Sequence, residues 1–119
     1  MIIKLKNKDK LIIDDFILKC CVGKSGINNN KIEGDKSTPS GTFQLGNIFY
    51  RSDRVTKPFT KLRCIKINKN IGWCNDSLSK FYNKKIKIIK KIKHEKLFRK
   101  DYKYNYFLVI KYNYLFPPK

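Results

Sequence analysis

The sequence predicts a mainly β fold, and three observations carry that expectation. Apolar residues come in short runs over positions 2–5, 11–13 and 16–22 rather than in long helical stripes. The runs are separated by Asn7-Lys8-Asp9-Lys10 and Asp14-Asp15, residues that form tight turns. Near the end, Phe107-Leu108-Val109-Ile110 is an apolar run of strand length, the pattern of a central strand buried on both faces.

Taken in order, the first three runs make a meander of short strands. Gly23-Lys24-Ser25-Gly26 suggests a phosphate loop, but the Walker pattern requires a glycine five residues before Gly23, where Leu18 stands. A loop through Asn28-Asn29-Asn30 leads to residues 31–43. There Gly34-Asp35 supplies a positive φ beside a self-capping side chain, and Pro39 forces Thr38 into an extended conformation. Ser40-Gly41 then releases the chain into 42–45, whose alternation predicts a half-buried strand. Further strands are expected over 48–51 and 62–67, the latter closed by Asn68-Lys69-Asn70. Residues 86–92 interleave lysine with isoleucine and fit a strand or a loop, whereas 94–99 predict a short helical turn. There is no internal repeat and no linker, so a single domain is expected over 1–119.

Composition narrows the function classes. With 41% hydrophobic and 13% aromatic residues the chain can pack a core despite a net charge of +19. That charge attracts polyanions in general: nucleic acid, anionic lipid or an acidic wall polymer. Nearly all of it is lysine, arginine occurring only at 51, 54, 63 and 99. Dedicated nucleic-acid readers favour arginine's bidentate fork, so scattered lysines read first as a solvated surface. Cys20, Cys21, Cys64 and Cys74 lack zinc-site spacing, and His94 is the one histidine, so no metal or cofactor is expected and the thiols are read as free. The N-terminus alternates with charge and shows no signal peptide, and no apolar run reaches membrane-spanning length.

Residues 31–43 resemble the "EGDGxTPxGxF" signature of L,D-transpeptidase (YkuD-type) catalytic domains through Gly34, Asp35, Thr38, Pro39, Gly41 and Phe43. Further segments follow in the order of that family. Tyr50, Arg51, Asp53 and Arg54 are similar to its "YRxDR", and Gly72-Trp73-Cys74-Asn75-Asp76 to its "GWCDDP", with Ser77 for proline. Phe81-Tyr82-Asn83 is similar to its "xYNR", with Lys84 for arginine, and 94–99 to its "HExxWR", with Phe98 for tryptophan. The resemblance implies a β-sandwich or curved mixed sheet with a short helix. It covers the front part of the family's domain, because the segments "GSAIFxH" and "TxGCVA", which supply the histidine base and cysteine nucleophile, have no counterpart before Lys119. It further implies a cell-envelope location, peptidoglycan stem peptides as partners, and cysteine acyl transfer as the reaction of the class. An incomplete, inactive domain is the expectation for this chain.

Cys74 and His94 form the one Cys/His couple with turn-rich surroundings, a substitute for the missing pair, although neither aligns with the family's catalytic positions. A cysteine beside tryptophan is more often a small buried hydrophobe. Ser77-Leu78-Ser79-Lys80 spells the S-x-x-K of penicillin-binding proteins but has no K-T-G partner. The alternative reading is a basic nucleic-acid-binding β module, with Tyr82, Tyr102, Tyr104, Tyr106 and Phe107 as a stacking face.

Overall fold

A computed structural model describes residues 1–89 and 91–113, and within these the regular structure is strand throughout, with no helix. The chain divides into two compact units, Met1–Thr42 and Phe43–Lys119.

In the first unit, β1 (Ile3–Lys6), β2 (Lys10–Ile13) and β3 (Phe16–Lys19) form an antiparallel meander with Ile3 opposite Ile13 and Ile13 opposite Phe16. Its turns place Asn7, Lys8 and Asp14 at φ of 55°, 67° and 51°, the left-handed region that Asn and Asp enter at least cost. The strand expected over 16–22 ends at Lys19, where its partner β2 also begins at Lys10, and one further bond in the same register joins the Cys20 N–H to the Asp9 carbonyl at 2.9 Å. A parallel pair, β4 (Ile27–Asn28) with β5 (Thr38–Pro39), follows.

The second unit holds two three-stranded sheets. β6 (Leu45–Tyr50) lies between antiparallel β11 (Tyr106–Ile110) and parallel β7 (Cys64–Lys66), a mixed arrangement. β8 (Ile71–Cys74) lies between antiparallel β9 (Lys85–Lys87) and β10 (His94–Lys96). Phe49, Ile67 and Leu97 are the buried centre, ringed by Trp73, Phe98, Tyr104, Phe107 and others. Trp73 meets Phe107 edge to face at 5.0 Å and 89°, a favoured aromatic geometry.

Several expectations need correction here. The helical turn expected over 94–99 is absent: His94, Glu95 and Lys96 pair with Cys74, Trp73 and Gly72, and so short a segment gains more from a sheet ladder than from an isolated helical turn. Residues 107–110 do not form a central strand; β11 is an edge strand among the described residues, with Tyr106 and Ile110 exposed. The strand read over 42–45 begins only at Leu45, 62–67 shortens to Cys64–Lys66, and of 86–92 only its start joins the strand Lys85–Lys87. No helix of the described residues is long and apolar enough to cross a membrane.

Phe49 and Leu97 are 2% and 1% exposed, whereas Phe16 on β3 is 69% exposed. Chemical unfolding should therefore show Phe49→Ala and Leu97→Ala losing about 3–5 kcal/mol each, and Phe16→Ala within about 0.5 kcal/mol of the parent.

Candidate functional site

The signature stretch is a loop organised by one carboxylate. Asp35 Oδ1 accepts from the Lys31 ammonium at 2.9 Å, from the Ser37 N–H at 2.8 Å and from the Ser37 hydroxyl at 2.7 Å, and Oδ2 accepts from the Ile32 N–H at 2.8 Å. The Lys31 contact and these N–H groups hold its pKa far below the usual carboxylate range. Gly34 and Lys36 flank it at φ of 85° and 60°. Thr38 and Pro39 form β5, and the Thr38 hydroxyl oxygen accepts from the Gly23 N–H at 2.6 Å. Residues 23–26, set aside as a phosphate loop, instead wrap this turn, since a Cβ on Gly23 would lie 2.4 Å from the Lys36 carbonyl oxygen. Gly41 has φ of 132°, and Phe43 begins the second unit, edge-on to Tyr112 at 5.2 Å.

In the second unit, the segment after β6 forms an arginine brace. Arg51 is 3% exposed, and its Nε and Nη2 donate to the two Asp53 oxygens at 2.9 and 2.8 Å. Its Nη1 donates to the Arg99 carbonyl at 2.7 Å, and the guanidinium lies 3.6 Å from the centroid of the Phe98 ring. Each of its three nitrogens thus donates a hydrogen bond and one of its faces meets a ring, the kind of pairing a buried charge requires. Arg54 repeats the theme outside, donating to the Asp101 and Lys100 carbonyls at 2.7 and 3.0 Å with Tyr102 alongside. Arg99 grips Asp101 in turn, at 2.7 Å from Nη2. Tyr50, 4% exposed, accepts the Ile67 N–H on its carbonyl at 2.8 Å. The Arg51 guanidinium draws Asp53 below its ordinary pKa, and Arg99 does the same to Asp101. Burial, reinforced by a hydrogen bond to Glu95, pushes the Tyr104 phenol up.

Cys74 and His94 stand directly opposite each other across β8 and β10. The register brings them together, but the surroundings do not make them a nucleophile and base. Cys74 is 0% exposed. The His94 ring packs over the neighbouring backbone, its Cδ2 3.1 Å from where a Cβ on Gly72 would lie. Its Nδ1 bonds the Ile92 carbonyl at 2.8 Å, and no hydrogen bond joins it to the thiol. Asp76 caps the turn that follows, accepting the Leu78 N–H at 3.0 Å, which makes the S-x-x-K run part of that turn. All four cysteines are free, and the described residues contain no group of three or more His, Cys, Asp or Glu suited to a metal.

Trp73 leads to a feature that the sequence does not reveal. Its indole N–H donates to Asn83 Oδ1 at 3.0 Å, while Asn83, at φ of 58°, donates to the Tyr112 carbonyl at 2.6 Å. Beside this latch opens a cleft of about 490 Å³. Leu45, Phe49, Trp73 and Val109 make its apolar surface, and Lys61, Arg63, Lys84, Lys85 and Lys111 its polar rim. These cations come from three separate stretches, at 61–63, 84–85 and 111, so no single run or motif announces them. The proposed stacking face, by contrast, does not form. Tyr82 is 5% exposed, Tyr104 is tied to Glu95, and Phe107 packs against the core, leaving Tyr102 and Tyr106 outside.

No family model, curated protein or solved structure matches the chain.

Asp35, Asp53 and Asp101 all titrate lower in the folded chain than in the unfolded one. Their stabilisation is complete above the unfolded carboxylate pKa of about 3.9 and disappears as pH falls through the lower folded values. Urea midpoints measured across pH should accordingly drop below about pH 4, and the double variant Asp53→Asn, Asp101→Asn should show a shallower drop from a lower starting stability.

Proposed function

We propose that this chain is an L,D-transpeptidase-type domain of the cell envelope, directed at peptidoglycan stem peptides and without acyl-transfer chemistry of its own. One observation supports this reading above the others. The "YRxDR"-like and "HExxWR"-like segments, 40 or more residues apart, meet in one brace in which buried Arg51 holds Asp53, the Arg99 carbonyl and the Phe98 ring. Residues of these segments, distant in sequence, thus share one physical task. The "GWCDDP"-like and "xYNR"-like segments join in the same way, through Trp73 and Asn83.

In the reaction of that class, a thiolate attacks the carbonyl of a diamino-acid residue and expels the terminal D-amino acid; an amine of a second stem then displaces the thiolate, forming the cross-link. A nucleophile must meet its substrate, and an unexposed Cys74 whose neighbouring imidazole is turned to Gly72 does not. Cys64, whose thiol faces the Leu62 and Pro58 carbonyls, has no imidazole either, because His94 is the one histidine and lies beside Cys74.

Incubation with tetrapeptide-bearing muropeptides should yield no cross-linked dimers, with Cys74→Ala indistinguishable from the parent. Dimers that disappear in Cys74→Ala would overturn the inactive reading. Retention on purified peptidoglycan at high salt tests the family reading separately, since polyanion attraction alone is screened there. As a check on the thiol, iodoacetamide should label exposed Cys21 first and Cys74 last in the native protein.

A further inference from the structure

We infer that the cleft beside Trp73 is a binding site for an acidic polypeptide segment that alternates carboxylate and aliphatic side chains. The cleft lies wholly within the second unit, and its volume of about 490 Å³ is within the range of ligand-binding cavities. Its chemistry is two-sided. Apolar side chains form the surface, and five cations stand around it with no carboxylate among the lining residues.

None of those cations takes part in a salt bridge among the described residues, whereas the chain's paired cations, Lys31, Arg51 and Arg99, lie elsewhere. Like charges collected at a concavity with low-dielectric walls raise the local potential and favour an anionic occupant. Lys85 stands in register with Trp73 on β8, which sets a positive charge directly beside the apolar surface. Across the other edge Glu95 is also in register with Trp73, but it is engaged by the Tyr104 hydroxyl and does not line the cleft.

Two features select a peptide over a nucleic acid. Arginine, whose fork suits phosphate, contributes only Arg63 to the rim, the other four cations being lysines. A base-stacking platform is also lacking: Phe49 is buried, and Trp73 is already committed to perpendicular contacts with Phe49 and Phe107. Leu45 and Val109 instead offer aliphatic contact at the base of the cationic rim. The chain's own charge of +19 disfavours a second copy as occupant. The site is read from its own chemistry and does not depend on the transpeptidase reading.

The test uses Trp73, the sole tryptophan, as its reporter. A synthetic peptide alternating glutamate and leucine is titrated into the full chain while tryptophan fluorescence is followed, beside a lysine-leucine peptide and a single-stranded oligothymidylate. The acidic peptide should give a saturable change, and Arg63→Glu with Lys85→Glu should weaken it roughly tenfold. Lys4→Glu with Lys6→Glu, on exposed positions of β1, makes the same change in net charge and should leave affinity nearly unaltered. Circular dichroism of both double variants confirms that they fold. Equal weakening by both pairs would reduce the effect to bulk charge and overturn the site. Tighter binding of the oligothymidylate, or no response of Trp73 to the acidic peptide, would overturn it as well. Muropeptide cross-linking is indifferent to these outcomes, so the two readings fail separately.

Discussion

A cation taken out of water must be paired and hydrogen-bonded, and Arg51 is where this chain meets that demand. Its Nε and Nη2 donate to Asp53, its Nη1 donates to the Arg99 carbonyl, and one flat face rests near Phe98. Removing any one partner would leave a buried charge partly unsatisfied, so the segment after β6 and the segment after β10 must be placed together. Leu97, adjacent to this contact, fills the centre of the core with Phe49. The polar brace and the apolar core are thus neighbours, and each restrains the geometry the other needs.

The first unit solves a smaller version of the same problem. With little buried apolar surface, its loop relies on Asp35, whose carboxylate collects backbone and side-chain donors from Ile32, Ser37 and Lys31. Left-handed conformations at Gly34 and Lys36 bend the chain around that carboxylate. Gly23 permits the opposing backbone to approach within a distance that any side chain would block. Shape here comes from hydrogen bonding rather than from packing.

Such a division of labour bears on function. The residues on which the proposed L,D-transpeptidase reading rests are largely occupied in holding segments together: Asp35 in its turn, Arg51 in its brace, Trp73 and Asn83 in their latch. Cys74 is sealed against the sheet, and its companion His94 bonds backbone. What the second unit presents to solvent is a cleft whose cations take part in no salt bridge among the described residues, an arrangement that raises the local positive potential.

The sequence by itself determined the β character and the turn at Gly34-Asp35, because turn residues and short apolar runs act through local sterics and solvation. It singled out Cys74 and His94 as a substitute Cys/His couple, while their pairing across β8 and β10 came from the tertiary structure. Burial, pairing partners and strand ends were decided by tertiary structure. Residues 94–96 became a strand because β8 offered a ladder, and 107–110 lies at a sheet edge because the described chain supplies no strand beyond it. Lysines and an arginine scattered from 61 to 111 became one rim in the same way. Local chemistry is written in neighbouring residues, whereas accessibility and charge clustering exist only once distant segments share a surface.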